Sequence, residues 1–234
     1  MFQKEKIYIA GPECFYTGGY DMLAAMRAES IAKGFGVTLP NDHPLDMENP
    51  DLRKRADSIF ADLKAIMLDT TVVIADLEAY RGSEPDSGTI YELGMAYAKG
   101  ARCYGYTRDK RPLVWKDQKY TLKEGKVYDE HGKEAPYKEL PFSPCIIAST
   151  KIAQGDYGDC LKMLMTDIEE EKKYKGLRGY SVDYTAARTY KSDRPVVYLA
   201  GPERYDKDAE EIYKKRKELC ASYGLCALSL IHIL

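Results

Sequence analysis

An α/β fold built on a doubly wound, parallel five-stranded sheet, with helices on both faces, is what this sequence predicts. Three observations predict it. Short apolar runs such as Val72-Val73-Ile74-Ala75 read as strands buried on both faces. Each is followed by a segment with apolar residues at helical spacing, and strict strand–helix alternation is the mark of a parallel sheet. Most runs close on small or acidic residues, Gly11-Pro12, Pro40-Asn41-Asp42 and Asp76, as strand ends facing a crevice do.

The elements follow in order. Ile7-Tyr8-Ile9-Ala10 is a strand closed by Gly11-Pro12, and residues 20–33 carry Met22, Leu23, Met26 and Ile31 on a helix ended by Gly34. Val37-Thr38-Leu39 is a short strand. Residues 51–68 place Leu52, Ala56, Ile59, Phe60, Leu63, Ile66 and Met67 at helical spacing. The Val72 strand, a helix ending near Lys99-Gly100 and an Arg102–Tyr106 strand come next. Residues 107–142 break the rhythm: they are charged and tyrosine-rich, with turn signals at Glu124-Gly125 and His131-Gly132. They read as an excursion with a hairpin, bordering either the active site or an oligomer interface. Cys145-Ile146-Ile147-Ala148 is read as the last strand, and a helix over 157–174, with Leu161, Leu164 and Ile168 inward, closes a domain of residues 1–175.

An internal repeat follows a linker at 176–194. Val197-Tyr198-Leu199-Ala200-Gly201-Pro202-Glu203 echoes Ile7-Tyr8-Ile9-Ala10-Gly11-Pro12-Glu13 at an offset of 190 residues. Residues 195–227 thus read as a truncated second copy of the first β-α unit, which alone cannot bury its apolar face and should be disordered or docked on a neighbour. The parallel fails where Leu230 stands in place of Pro40. Residues 228–234 resemble a translated sequencing adapter and read as a non-native tail, so His232 is given no role.

Composition narrows the function. A net charge of −2 with both signs mixed argues against nucleic-acid or membrane-surface binding, and no apolar run approaches the roughly 20 residues of a membrane span. The six cysteines form no C-x-x-C pair and there are three histidines, so zinc spacings are absent and no metal is expected. Scattered thiols without a secretory signal fit a cytoplasmic protein. Cys14, just after the first strand, is a candidate reactive thiol, although lone cysteines more often serve as small buried apolar groups.

The chemistry is concentrated in Glu84-Pro85-Asp86-Ser87-Gly88-Thr89-Ile90-Tyr91-Glu92-Leu93-Gly94, which follows the Val72 strand and opens a helix. It brings two carboxylates, Asp86 and Glu92, to a crevice, a pairing that suits reaction at a glycosidic carbon. The ordinary alternative for Glu92 is a capping box, since Thr89-x-x-Glu92 has that spacing; for Asp86 it is a helix cap.

Lys6-Ile7-Tyr8-Ile9-Ala10-Gly11-Pro12, Pro85-Asp86-Ser87-Gly88-Thr89 and Glu92-Leu93-Gly94-Met95-Ala96-Tyr97-Ala98 together resemble the nucleoside 2-deoxyribosyltransferase family, over residues 6–170. The resemblance implies a flavodoxin-like fold, no cofactor, and a homo-oligomer with active sites near subunit interfaces. Its partners would be deoxyribonucleosides and free nucleobases. Glu92 would be the nucleophile at C1′, and Asp62 would hydrogen-bond or protonate the leaving base. Tyr8 would orient Glu92. Asp86 would hold the sugar hydroxyl, with Gly11, Ser87 and Gly88 lining the substrate site and Asp76 behind it. For Asp62 and Tyr8 the ordinary alternatives are a solvated helix residue and a packed strand tyrosine. Some members carry Asn-Leu-Met before the last strand; this chain has Phe142-Ser143-Pro144-Cys145, so that polar contact is left unassigned. Two rival functions remain open: an N-glycoside hydrolase through the same glutamate, and a non-catalytic nucleoside or nucleotide sensor. Asp86 at the helix start would repel a 5′-phosphate, which favours nucleosides.

Overall fold

A computed structural model of the chain describes residues 2, 4–43, 45–116, 119–135, 137–173 and 192–229. The elements in chain order are β1 (Lys6–Ala10), α1 (Gly19–Ala32), β2 (Gly36–Thr38), α2 (Leu52–Asp69), β3 (Val72–Asp76), α3 (Ser87–Lys99) and β4 (Arg102–Thr107). The hairpin strands β5 (Thr121–Lys123) and β6 (Lys126–Tyr128) come next, then α4 (Pro144–Ser149), β7 (Lys151–Gln154) and α5 (Tyr157–Lys173). Last are β8 (Val196–Leu199), α6 (Ala209–Ser222) and β9 (Cys226–Ser229). The chain divides into two compact units, Met1–Asp117 with Glu139–Tyr184, and Gln118–Lys138 with Thr185–Leu234.

In the first unit five strands lie in the order β2-β1-β3-β4-β7, all parallel. That is the flavodoxin-like order, with the connections reversing direction between β1 and β3. Strand alternation sorts the core into two layers. Ile7, Ile9, Val72, Ile74, Tyr104 and Tyr106 pack with Leu23 of α1 and with Cys160, Leu161, Leu164 and Ile168 of α5. Tyr8, Ala10, Val73, Ala75 and Cys103 pack on the other face with Ile66 and Met67 of α2, Leu93 and Ala96 of α3, and Ile146 of α4. Every residue of β3 is buried, as its unbroken apolar run requires.

Caps set the helix ends. Asp51 accepts the Arg53 amide at 2.8 Å to start α2, and Gly100, in the left-handed region at φ 85°, ends α3. Lys99 Nζ, one residue earlier, reaches across to the carbonyls of Leu68 and Thr70, each at 2.7 Å, satisfying acceptors exposed at the end of α2.

The last strand differs from expectation. Cys145-Ile146-Ile147-Ala148 forms α4, and the strand is the following Lys151–Gln154. Pro144 occupies the first turn of α4, where its fixed φ favours a helix and its missing N–H costs nothing. As an edge strand, β7 begins and ends on polar Lys151 and Gln154, which hides it from a search for apolar runs.

In the second unit β5 and β6 form the expected hairpin. Its two-residue turn, Glu124-Gly125, has φ of 51° and 78°, both positive as a tight hairpin demands. β8 and β9 pair in parallel, Val196 opposite Cys226, with α6 between them in sequence, so this segment carries a full β-α-β. Leu228 and Ser229 complete β9. Of the linker expected at 176–194 and the tail expected at 228–234, residues 176–191 and 230–234 lie outside the described residues. Among the described residues no helix is long and apolar enough to cross a membrane.

Leu164 is fully buried between α5 and the sheet. Leu164→Ala is expected to lower the free energy of unfolding by about 2–5 kcal/mol, measured by urea denaturation, while the folded spectrum is retained.

Candidate active site

The reversal of connections between β1 and β3 leaves a crevice at their carboxyl ends, where open sheets of this order hold ligands. Three segments meet there: Gly11 after β1, Asp76 ending β3, and the start of α3. Tyr8 lies on the face of β1 that packs against α2 and α3, opposite Val73 in register. Its hydroxyl donates to Glu92 Oε1 at 2.8 Å. Strand parity therefore delivers Tyr8 to the helix that carries Glu92; a shift of one residue would have sent it to the other face.

The start of α3 resolves the two capping alternatives. Asp86 is the cap: its carboxylate accepts the Thr89 amide at 2.9 Å and the Thr89 hydroxyl at 3.2 Å. Glu92 lies beyond the first turn, bonded to Tyr8, so the capping box suggested by Thr89-x-x-Glu92 does not form. Ser87 and Gly88 occupy the exposed first turn, and Asp86 Oδ2 sits 3.0 Å from where a Gly88 Cβ would be.

Burial pushes the Glu92 carboxyl up to about 7; the Tyr8 hydrogen bond opposes this, and the charges of Asp86 and Glu13 add to it. The Tyr8 phenol is pushed well above its ordinary value, first by burial and then by the Glu92 charge. It stays a neutral donor. A carboxyl beside a crevice whose proton affinity burial shifts this far marks a candidate functional site.

Asp62, on α2, is brought close enough for its charge to act on Tyr8. Its side chain is 13% exposed and its Oδ1 contacts His43 Nδ1, a partner that sequence reasoning passed over. The loop after β2 supplies His43, and no helical or strand periodicity marks such a loop residue.

Asp76 is buried, and its Oδ1 accepts the Glu78 amide at 2.7 Å. Burial lifts its carboxyl well above the usual range against that hydrogen bond, with the Glu13 and Glu78 charges adding to the rise. Glu13 was also missed as a site residue. It is fully buried and takes a 2.9 Å hydrogen bond from the Tyr106 hydroxyl. Its recurrence in both Gly-Pro-Glu segments was the available signal. A Cβ on Gly11 would stand 2.0 Å from Glu13 Oε2, so glycine is required for this carboxyl to fold back over the chain. The Cys14 thiol is pushed up by burial and by Glu92, Glu13 and Asp86, which works against a reactive thiolate.

A cavity of about 310 Å³ opens at the ends of β3 and β4, lined in part by Glu78, Ser83, Thr107, Asp109 and Lys116; Glu92 is not in its wall. Its charged groups are already engaged, Glu78 with Arg108, Asp109 with Arg111, and Lys116 with the Pro141 carbonyl. Among the described residues no group of three or more His, Cys, Asp or Glu could hold a metal ion.

A family model described as nucleoside 2-deoxyribosyltransferase matches residues 7–158. Among solved structures, a 2-desoxiribosyltransferase from Leishmania mexicana matches with a TM-score of 0.51 at 24% identity, over 69% of this chain and 97% of its own. A conserved protein from Enterococcus faecalis V583 matches at 22% identity over 70% of this chain and 98% of its own, with a TM-score of 0.43. The first of these likenesses speaks to the fold. No curated protein matches the chain.

Because folding raises the Glu92 pKa, the folded state holds a proton that the unfolded chain releases. The resulting cost is absent below the unfolded value, grows as pH rises toward about 7, and is constant above it. Glu92→Gln, which keeps the contact with Tyr8, is expected to stabilise the protein by about 1–3 kcal/mol at alkaline pH and by little at acid pH. Thermal unfolding at the two pH values checks this; equal stabilisation at both would contradict it.

Proposed function

The chain belongs to the nucleoside 2-deoxyribosyltransferase family, and from that premise we propose that it moves a 2-deoxyribosyl group between nucleobases through a covalent ester on Glu92. In the first half-reaction a Glu92 carboxylate oxygen bonds to C1′ as the C1′–N bond breaks. The bonding electrons leave with the base, and Asp62 supplies its proton. In the second, a nitrogen of an incoming base attacks C1′, the ester electrons return to Glu92, and the proton carried by that base passes back to Asp62. Two inversions give net retention.

The observation that carries this reading is the 2.8 Å bond from Tyr8 to Glu92 at the sheet's switch point. It holds one carboxylate oxygen, leaving the other for C1′, and favours the ionised form against the burial that opposes it. Asp86, its carboxylate anchored at the start of α3, would accept a sugar hydroxyl; Gly11, Ser87 and Gly88 would leave room for the sugar, and Asp76 would support the floor. Nearby negative charge also favours an oxocarbenium-like transition state. Acid assistance from Asp62 would contribute on the order of 10²–10⁴-fold.

Incubation with deoxyinosine, with and without adenine, tests the reading. Deoxyadenosine is expected only when adenine is present, and Glu92→Ala should abolish it. Hypoxanthine and free deoxyribose released at a rate indifferent to adenine would make the protein a hydrolase. Absence of turnover, with thymidine as donor also tried, would leave the sensor.

An exposed apolar stripe supports the homo-oligomer. Leu52, Ile59 and Phe60 of α2 are 71%, 43% and 44% exposed, and the Phe60 ring lies 6.3 Å from that of exposed Tyr91 on α3. Covering this stripe with a second copy would bury it beside the site. Phe60→Glu is expected to shift the protein to monomer in sedimentation velocity, and a monomeric unsubstituted protein would refute the assembly.

A further inference from the structure

Arg55 is a cation left without a partner. It lies in the first turn of α2, is partly buried, and no hydrogen bond or ion pair joins it to any described residue. Its Nε is shut off from solvent and meets no acceptor. A buried donor in that state is costly and rare, so an acceptor from outside the chain is its natural complement. Acids are not scarce around it in the chain, but each serves another group. Asp46 takes the Asn49 side-chain amide at 2.7 Å, and Asp51 caps α2 through the Arg53 amide at 2.8 Å. Asp57 pairs with Arg53 at 2.9 Å, and Asp62 meets His43.

Helical spacing fixes where this guanidinium sits. At about 100° per residue, Arg55, Asp62 and Ile66 fall within about 40° of one another around α2. Ile66 belongs to the core layer of Tyr8 and Val73, so all three residues occupy the side of α2 that faces the strands. Asp62 is near enough for its charge to act on Tyr8. Arg55 stands two turns before Asp62, about 10 Å nearer the start of the helix. In a parallel sheet the helix start lies at the carboxyl ends of the strands, which places Arg55 at the mouth of the same crevice.

We propose that Arg55 is a specificity residue that donates to the carbonyl oxygen of an oxo nucleobase, so that the site prefers hypoxanthine and thymine to adenine and cytosine. The inference deepens the deoxyribosyl reading and rests on it. In that reading α3 serves the sugar through Asp86 and Glu92, and α2 serves the base through Asp62. A guanidinium on the Asp62 face of α2 is therefore on the base side. Two turns of helix match a base held at both ends, by Asp62 at a ring nitrogen and by Arg55 at the far exocyclic group. Arginine carries donors only, so it satisfies a C=O and leaves an exocyclic NH2 facing another donor. A 5′-phosphate is the other group that a guanidinium takes readily. The sugar, however, lies on the α3 side in this reading, where the Asp86 carboxylate caps the helix and would repel a phosphate.

The ratio of kcat/KM for deoxyinosine to that for deoxyadenosine, with a third base as common acceptor, tests the assignment. The unsubstituted enzyme is expected to favour deoxyinosine by about ten- to a hundredfold. Arg55→Met should bring the ratio close to unity by slowing deoxyinosine alone, and an unchanged rate with deoxyadenosine reports that the variant is folded. Equal rates in the unsubstituted enzyme, or an equal loss on both donors in the variant, overturns the proposal. If Arg55→Met does not fold, Arg55→Lys, which keeps the charge but loses the planar fork, should shrink the ratio at a constant deoxyadenosine rate. A ratio that Arg55→Lys leaves unmoved overturns it. Deoxyinosine 5′-monophosphate as donor supplies the phosphate arm: turnover that Arg55→Met abolishes, with the base ratio unmoved, overturns the base contact. Calorimetric binding of the two nucleosides to Glu92→Gln, with and without Arg55→Met, separates this inference from the reading beneath it. No exchange, but tighter deoxyinosine binding that Arg55→Met removes, keeps the base contact and ends the deoxyribosyl reading. Exchange at equal rates does the reverse, and nucleoside binding that is absent or indifferent to the base overturns the inference.

Discussion

The hydrogen bond from Tyr8 to Glu92 joins the two parts on which the site depends, the central strand β1 and the helix α3 that packs against it. It exists because a parallel sheet fixes side-chain parity: Ile7 and Ile9 go to the α1 and α5 layer, so Tyr8 must go to the α2 and α3 layer. Asp86 then determines where α3 begins, and so which residue of its second turn meets the phenol. Had the helix started at Thr89 with Glu92 turned back as a cap, the carboxylate would have been consumed at the backbone and would not receive the phenol.

That arrangement concentrates acids. The charges of Asp86 and Glu13 act on Glu92, that of Glu13 acts on Asp76, and burial raises the proton affinity of Glu92 and Asp76 in the folded state. In stability terms these groups oppose folding at neutral pH, and the sheet's apolar core offsets them. In chemical terms the same burial brings Glu92 into the range where it changes charge near neutrality. An active site that loses stability to gain reactivity is a common compromise. Here its cause is specific: acids from the turn after β1, the end of β3 and the start of α3 converge on one strand switch.

Much of this was legible from the chain. Four of the five core strands, the doubly wound arrangement and the tight hairpin at Glu124-Gly125 follow from periodicity and turn chemistry, both of which are local. The last strand was misplaced by a handful of residues because α4 is apolar and short while the edge strand is polar at both ends. Tyr8, Asp62, Asp86 and Glu92 were singled out through motif resemblance. Glu13 and His43 were not, because their partners, Tyr106 and Asp62, lie 93 and 19 residues away, and only folding brings them together.

The sequence by itself determined the order of elements, the two-face alternation of the sheet and the pairing of Asp86 with Glu92 across six residues. Those are properties of spacing. The tertiary structure alone decided which carboxylate caps the helix and which receives the phenol. Proton affinities are set by desolvation and by charges distant in sequence, and neither is written in any local run of residues.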